Sequence, residues 1–171
     1  MELLFLLDRP CPDLQYLALQ AIGNLCVRHY DFMLGNELKA VYQRLLTSDA
    51  EIRLKVQALC NIQLYLTEEE LRMIRQDAEW TKNAKLENIK EMGDVTSGMA
   101  STIVQIYLKQ ILEAFLHNDL KVRRAAVRVI QLVLQQGLVH PIQVIIIRKS
   151  LCRMTNCKAF EFLNCVLIYF T

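Results

Sequence analysis

The segment Asp49-x-x-Ile52-Arg53-x-x-Val56-x-x-Leu59-x-x-Ile62 is written again, 70 residues later, as Asp119-x-x-Val122-Arg123-x-x-Ala126-x-x-Val129-x-x-Leu132. In both copies an acid opens the segment, a base follows four positions on, and apolar residues recur at the 3–4 spacing that lines one helix face. A third copy stands 37 residues ahead of the first, pairing Leu19, Ala21, Ile22 and Leu25 with Val56, Ala58, Leu59 and Ile62. Helix pairs recurring near this period are the signature of HEAT or armadillo units of about 40–47 residues. The physical reason is that one helix pair cannot bury its apolar face alone, so neighbours stack. The acid and base (Asp49 with Arg53, Asp119 with Arg123) suit the HEAT habit of a charge ladder between repeats. The spacing predicts an all-α, HEAT-type helical-repeat solenoid fragment.

Outward from these segments the punctuation is also helical. Pro12-Asp13 marks a helix start ahead of Leu14, Leu17, Ala18, Ala21 and Ile22. Gly35-Asn36 breaks the chain before a shorter helix carrying Leu38, Val41, Tyr42 and Leu45, and Ser48-Asp49 starts the next. Residues Glu68 to Glu91 hold 7 acids and 5 bases, and Glu68-Glu69-Glu70 reads as a helix N-terminus, where carboxylates suit the dipole. Gly93-Asp94 and Ser97-Gly98 predict a sharp joint between two helices. A strong amphipathic helix follows through Ile103, Ile106, Tyr107, Ile111, Leu112 and Phe115. Asn118-Asp119 then caps another, which Gly137 ends and Pro141 keeps from continuing.

Composition narrows the function classes. Of 171 residues 53% are hydrophobic and 22% charged, with only 5 Gly and 3 Pro. That is too apolar for a disordered chain and too poor in turn residues for a β-sandwich or α/β enzyme. No apolar run reaches the roughly 18–20 residues that span a bilayer, and Leu3–Leu7 is too short for a signal peptide. A soluble intracellular chain without a membrane partner is expected. The 20 Lys and Arg nearly balance the 18 Asp and Glu, yet residues 1–118 hold 12 bases and 16 acids whereas residues 119–171 hold 8 bases and 2 acids. A basic end permits an anionic partner. The six cysteines form no CxxC pair; Cys26 and Cys60 lie in apolar helical patterns and read as core thiols. Cys152 and Cys157 do not have zinc-ribbon spacing, and His29, His117 and His140 stand near helix ends, where imidazoles cap carbonyls. Gly93–Gly98 lacks the glycine spacing and Lys-Ser/Thr ending of a phosphate loop. No nucleophile–base or paired-carboxylate arrangement follows from the spacing, so no enzyme activity, metal, cofactor or small-molecule substrate is expected.

Three stretches carry a resemblance: Glu91-Met92-Gly93-Asp94-Val95-Thr96-Ser97-Gly98-Met99-Ala100-Ser101, then Tyr107-Leu108-Lys109-Gln110-Ile111-Leu112-Glu113-Ala114-Phe115, then Gln136-Gly137-Leu138-Val139-His140-Pro141-Ile142-Gln143. Together they resemble the C-terminal HEAT region of the Nipped-B-like cohesin-loader family, and Arg9-Pro10-Cys11-Pro12 and Ala18–Gly23 are similar to the stretch before it. The resemblance covers about Leu3 to Gln143. It implies a nuclear, non-enzymatic helical scaffold that binds double-stranded DNA, chromatin and cohesin complex subunits and promotes cohesin loading in sister chromatid cohesion and transcriptional regulation. Any ATP chemistry would belong to cohesin. A generic HEAT adaptor that binds only proteins is the alternative.

Two sets of residues are candidates for contact. Lys121, Arg124 and Arg128 lie at i, i+3 and i+7, opposite the Val122/Ala126/Val129 face. Such a stripe suits DNA, because phosphate neutralisation supplies most non-specific affinity; the bland alternative is a solvated helix face. Trp80, the one tryptophan, and the Met92-Gly93-Asp94 turn are candidate partner contacts, against packing across the repeat for Trp80. The expected organisation is a repeat region over 1–143 and a divergent hydrophobic tail over 144–171, in a fragment or truncated isoform. The tail ends Phe160-Glu161-Phe162-Leu163-Asn164-Cys165-Val166-Leu167-Ile168-Tyr169-Phe170, one charge in eleven residues. As a helix it is apolar almost all round and needs a partner; as a strand it is of the type that aggregates. It is expected not to be a native cap but to make the chain self-associate or bind chaperones.

Overall fold

The computed structural model describes residues 2–29, 31–47, 50–83 and 91–140. Among them seven helices follow one another: α1 (Glu2–Leu6), α2 (Pro12–Arg28), α3 (Asp31–Leu34), α4 (Asn36–Leu46), α5 (Ile52–Asn83), α6 (Glu91–Phe115) and α7 (Leu120–Gln135). Helix α2 packs on α5 and α5 on α7, while α4 packs on α6, and α4–α5, α5–α6 and α6–α7 meet as consecutive neighbours. The helices therefore form two layers, α2–α5–α7 and α4–α6. The three segments that match one another in sequence are α2, α5 and α7, and they stand side by side. The protein is all-helical over the described residues, in a layering compatible with a helical-repeat solenoid.

The apolar periods explain the packing. Leu19 and Ile22 of α2, Leu59, Ile62 and Leu66 of α5, and Val122, Ala126 and Val129 of α7 are all buried in one core with Ile103, Tyr107 and Ile111 of α6 and Tyr42 of α4. A polar thread runs through it. Asn61 Nδ2 donates to the Leu19 carbonyl at 2.7 Å and to the Tyr42 hydroxyl at 2.9 Å, and Asn61 Oδ1 accepts from Gln57 Nε2 at 2.8 Å.

The helix ends follow the punctuation. Pro12 opens α2 and Gly35 precedes α4. The Asp119 side chain accepts from the Lys121 and Val122 amides, satisfying two otherwise orphan donors of α7. At the other end Gly137 has φ +64°, with its N–H donating to Leu134 and that of Leu138 to Val133. This is the Schellman pairing that a left-handed residue permits.

Two expectations are overturned. Glu68–Glu70 do not open a helix: α5 runs unbroken from Ile52 to Asn83, with no Gly or Pro in it to stop the i→i−4 ladder. Glu69 is buried instead, and Arg72 Nη1 donates to it at 2.6 Å while Nη2 donates to the Val27 carbonyl at 2.9 Å, tying α5 to the end of α2. Nor do Gly93 and Gly98 form a joint, because α6 begins at Glu91 and passes through both. Glycine in a helix interior costs about 1 kcal/mol relative to Ala, which a 25-residue helix with a long packed face tolerates. Ser48, Asp49, Pro141 and the tail from 144 lie outside the described residues.

Candidate functional site

Helix α7 carries four bases, Lys121, Arg123, Arg124 and Arg128, and no acid between Leu120 and Gln135. Its buried face, Val122, Ala126 and Val129, fixes the helix rotation, so Lys121, Arg124 and Arg128 share the opposite, exposed face. Seven residues of helix place Lys121 and Arg128 about 10 Å apart along the axis. Among the described residues none of the three is ion-paired, whereas Arg44, Arg53, Arg72 and Lys109 each have a carboxylate partner. Arg123 points elsewhere: it donates to the carbonyls of His117 and Asn118 at 2.9 and 2.8 Å. It thus ties down the α6–α7 connection rather than pairing with an acid of a neighbouring repeat. Arg53 does bridge helices as a ladder residue, pairing with Asp13 of α2 and lying 4.0 Å over the Tyr16 ring. Both partners of that ion pair are well exposed, so it adds little stability.

Lys121 also borders a groove of about 950 Å³ where the first turns of α5 and α7 meet α2. Tyr16, Arg53, Val56 and Cys60 line it, together with Glu51 and Asp119. Cys60 is therefore not a fully buried core thiol as expected; it is half-buried, and Cys26 is the buried one. Burial pushes the Cys60 thiol above its ordinary value, with Arg128 pulling the other way. This edge was missed in the sequence because it joins residues from three separate segments. The repeat offset that aligns α2, α5 and α7 was the one signal for it.

At the α6–α7 connection the Asp119 amide donates to His117 Nδ1 at 3.0 Å. Burial and the nearby Lys55 hold the imidazole below its ordinary 6.5; Arg123 adds to this and Asp119 opposes it. A folded value below the unfolded one means the unfolded chain takes up the proton first. His117 thus contributes stability above about pH 6.5 that is lost as the pH falls through the lowered folded value. His117→Asn keeps an acceptor at the Nδ1 position without the titration. Its melting temperature is expected to drop less than that of the parent between neutral pH and pH 5 or so. Identical drops would remove His117 from the acid response.

The other candidates fall on either side of residues 84–90. Trp80 lies in the last turn of α5, and Met92, Gly93 and Asp94 lie in the first turn of α6. No helix of the described residues is long and apolar enough to cross a membrane.

Residues 100–147, which include all of α7, match the family model described as "Sister chromatid cohesion C-terminus". Over 132 residues the chain is 46% identical to the Nipped-B-like protein of Homo sapiens, covering 77% of this chain and 5% of that protein. It is 47% identical over 129 residues to the Nipped-B protein of Drosophila melanogaster, covering 75% and 6%. Against the Nipped-B-like protein scc-2 of Caenorhabditis elegans the identity is 34% over 127 residues, covering 72% and 6%. The chain spans about one twentieth of the length of the relatives it matches.

Proposed function

The chain belongs to the Nipped-B family, and from that premise we propose that it is a non-enzymatic nuclear scaffold of the cohesin-loader type, acting in sister chromatid cohesion. Its α7 face contacts double-stranded DNA without sequence preference. The end of α5 and the start of α6, with Trp80, Met92, Gly93 and Asp94, supply a contact to cohesin subunits. Residues 1–143 act as the repeat region and 144–171 as a separate tail. One observation carries the DNA reading. Lys121, Arg124 and Arg128 are exposed and unpaired among the described residues, on a helix without acids, inside the segment that matches the cohesion family. Bases that face only water and counterions are those that release counterions when a phosphate backbone arrives.

The reading is tested by binding the full chain to duplexes of unrelated sequence at several salt concentrations. Affinity is expected to fall with salt alike for all duplexes. Changing Lys121, Arg124 and Arg128 together to Glu is expected to reduce the log–log salt slope by about 2–3, the worth of three phosphate contacts. An unchanged slope would leave a solvated face and favour a scaffold that binds only proteins.

A further inference from the structure

A second groove, of about 660 Å³, opens between α1, α2, α3 and α4. Its walls are apolar: Leu4 of α1, Leu25 and Cys26 of α2, Phe32 of α3 and Leu38 of α4. Phe32 is 50% exposed and Leu25 40%, so the groove is open to an occupant. The single charge among its lining residues is the carboxylate of Glu37, and Asp31, also exposed, precedes Phe32. What fits is a segment with several adjacent apolar side chains and a positive charge close by, since an apolar trough with an acidic rim selects that combination.

We propose that this groove is the docking site of the chain's own C-terminal segment, Phe160–Phe170. The segment holds one charge in eleven residues, and the stretch leading to it carries Arg148, Lys149, Arg153 and Lys158 without an acid. The segment supplies the apolar side chains, its one charge being the Glu161 carboxylate, and the stretch before it supplies the bases that the rim calls for. The geometry brings the two within reach. The Ser101 hydroxyl donates to the Leu138 carbonyl, fixing the end of the α7 turn beside α6. Six residues further along α6, about 9 Å, the Tyr107 hydroxyl donates to the Met33 carbonyl, next to Phe32. The twenty residue-to-residue steps from His140 to Phe160 extend to roughly 66 Å at full stretch. Tethering raises the segment's effective concentration to about the millimolar range, so its own groove outcompetes that of a second copy at ordinary protein concentrations. This intramolecular seat takes the place of the self-association that the tail's apolarity alone suggests.

The test uses the full chain with the photoreactive residue benzoylphenylalanine in place of Phe162, irradiated and mapped by mass spectrometry. The expected crosslinks fall on residues 1–9 and 25–38, with a yield that holds across a roughly hundredfold dilution. The exposed changes Glu37→Lys and Phe32→Ser, with helical content checked by circular dichroism, are expected to lower that yield several-fold. Crosslinks on other helices, or none, would overturn the proposal. So would a yield that follows protein concentration, which would identify a second copy as the occupant, or one indifferent to both changes.

Discussion

Gly23→Ala is expected to lower the melting temperature by roughly 6–12 °C, the equivalent of about 2–4 kcal/mol in a domain of this size. Gly23 sits on the buried face of α2, and a Cβ added there would overlap the Asn61 side-chain amide. That amide cannot simply swing aside. Its Nδ2 is held by the Leu19 carbonyl and the Tyr42 hydroxyl, and its Oδ1 by Gln57. Displacing it strips buried polar groups of their partners, each worth about 1–3 kcal/mol. The normal gain from replacing a helical glycine by alanine, up to about 1 kcal/mol, is smaller and does not offset this. The cause is isolated by a double-mutant cycle. In an Asn61→Ala background the same Gly23→Ala change is expected to be neutral or stabilising, so the two costs are strongly non-additive. A Gly23→Ala protein as stable as its parent would mean that the α2–α5 contact has slack at this point.

The same region shows why much of the fold was legible and some of it was not. Period and punctuation identified α2 and α7, because Pro12, Asp119 and Gly137 act through local backbone chemistry that needs no tertiary context, whereas of α5 the period showed only the part before Glu68. In α6 the two glycines are outweighed by the apolar period running through them. Met92, Val95, Met99, Ile103 and Ile106 recur at helical spacing across the supposed joint. The basic stripe was equally legible, since a helix with one apolar face fixes where the others point. Neither groove was, because each is made where short segments distant in sequence converge: Leu4 with Leu25 and Phe32, Tyr16 with Arg53 and Lys121. The structural hint lies in α2, whose Leu14, Leu17 and Leu25 remain 36–59% exposed, so its apolar arc is wider than its buried face.

The buried acid of α5 leads to an effect of similar size. Arg72→Met is expected to destabilise the protein by about 3 kcal/mol or more, because removing one partner of a buried pair strands the other. The Glu69 side chain is only 4% exposed and Arg72 32%, so the carboxylate has little access to water once the guanidinium is gone. The Val27 carbonyl, in the last turn of α2, loses a donor in the same step. Methionine keeps most of the aliphatic volume of arginine, so the loss reports the charge and the hydrogen bonds rather than a cavity. With a urea m-value of about 1–3 kcal/mol/M, the unfolding midpoint is expected to move down by 1 M or more. Adding Glu69→Leu to Arg72→Met is expected to recover most of the loss, because an apolar pair carries no desolvation cost and retains the α2–α5 contact. If the double variant is no more stable than Arg72→Met alone, the stranded carboxylate is not the cause. The weight then shifts to the bond from Arg72 to the end of α2, which the double variant does not restore.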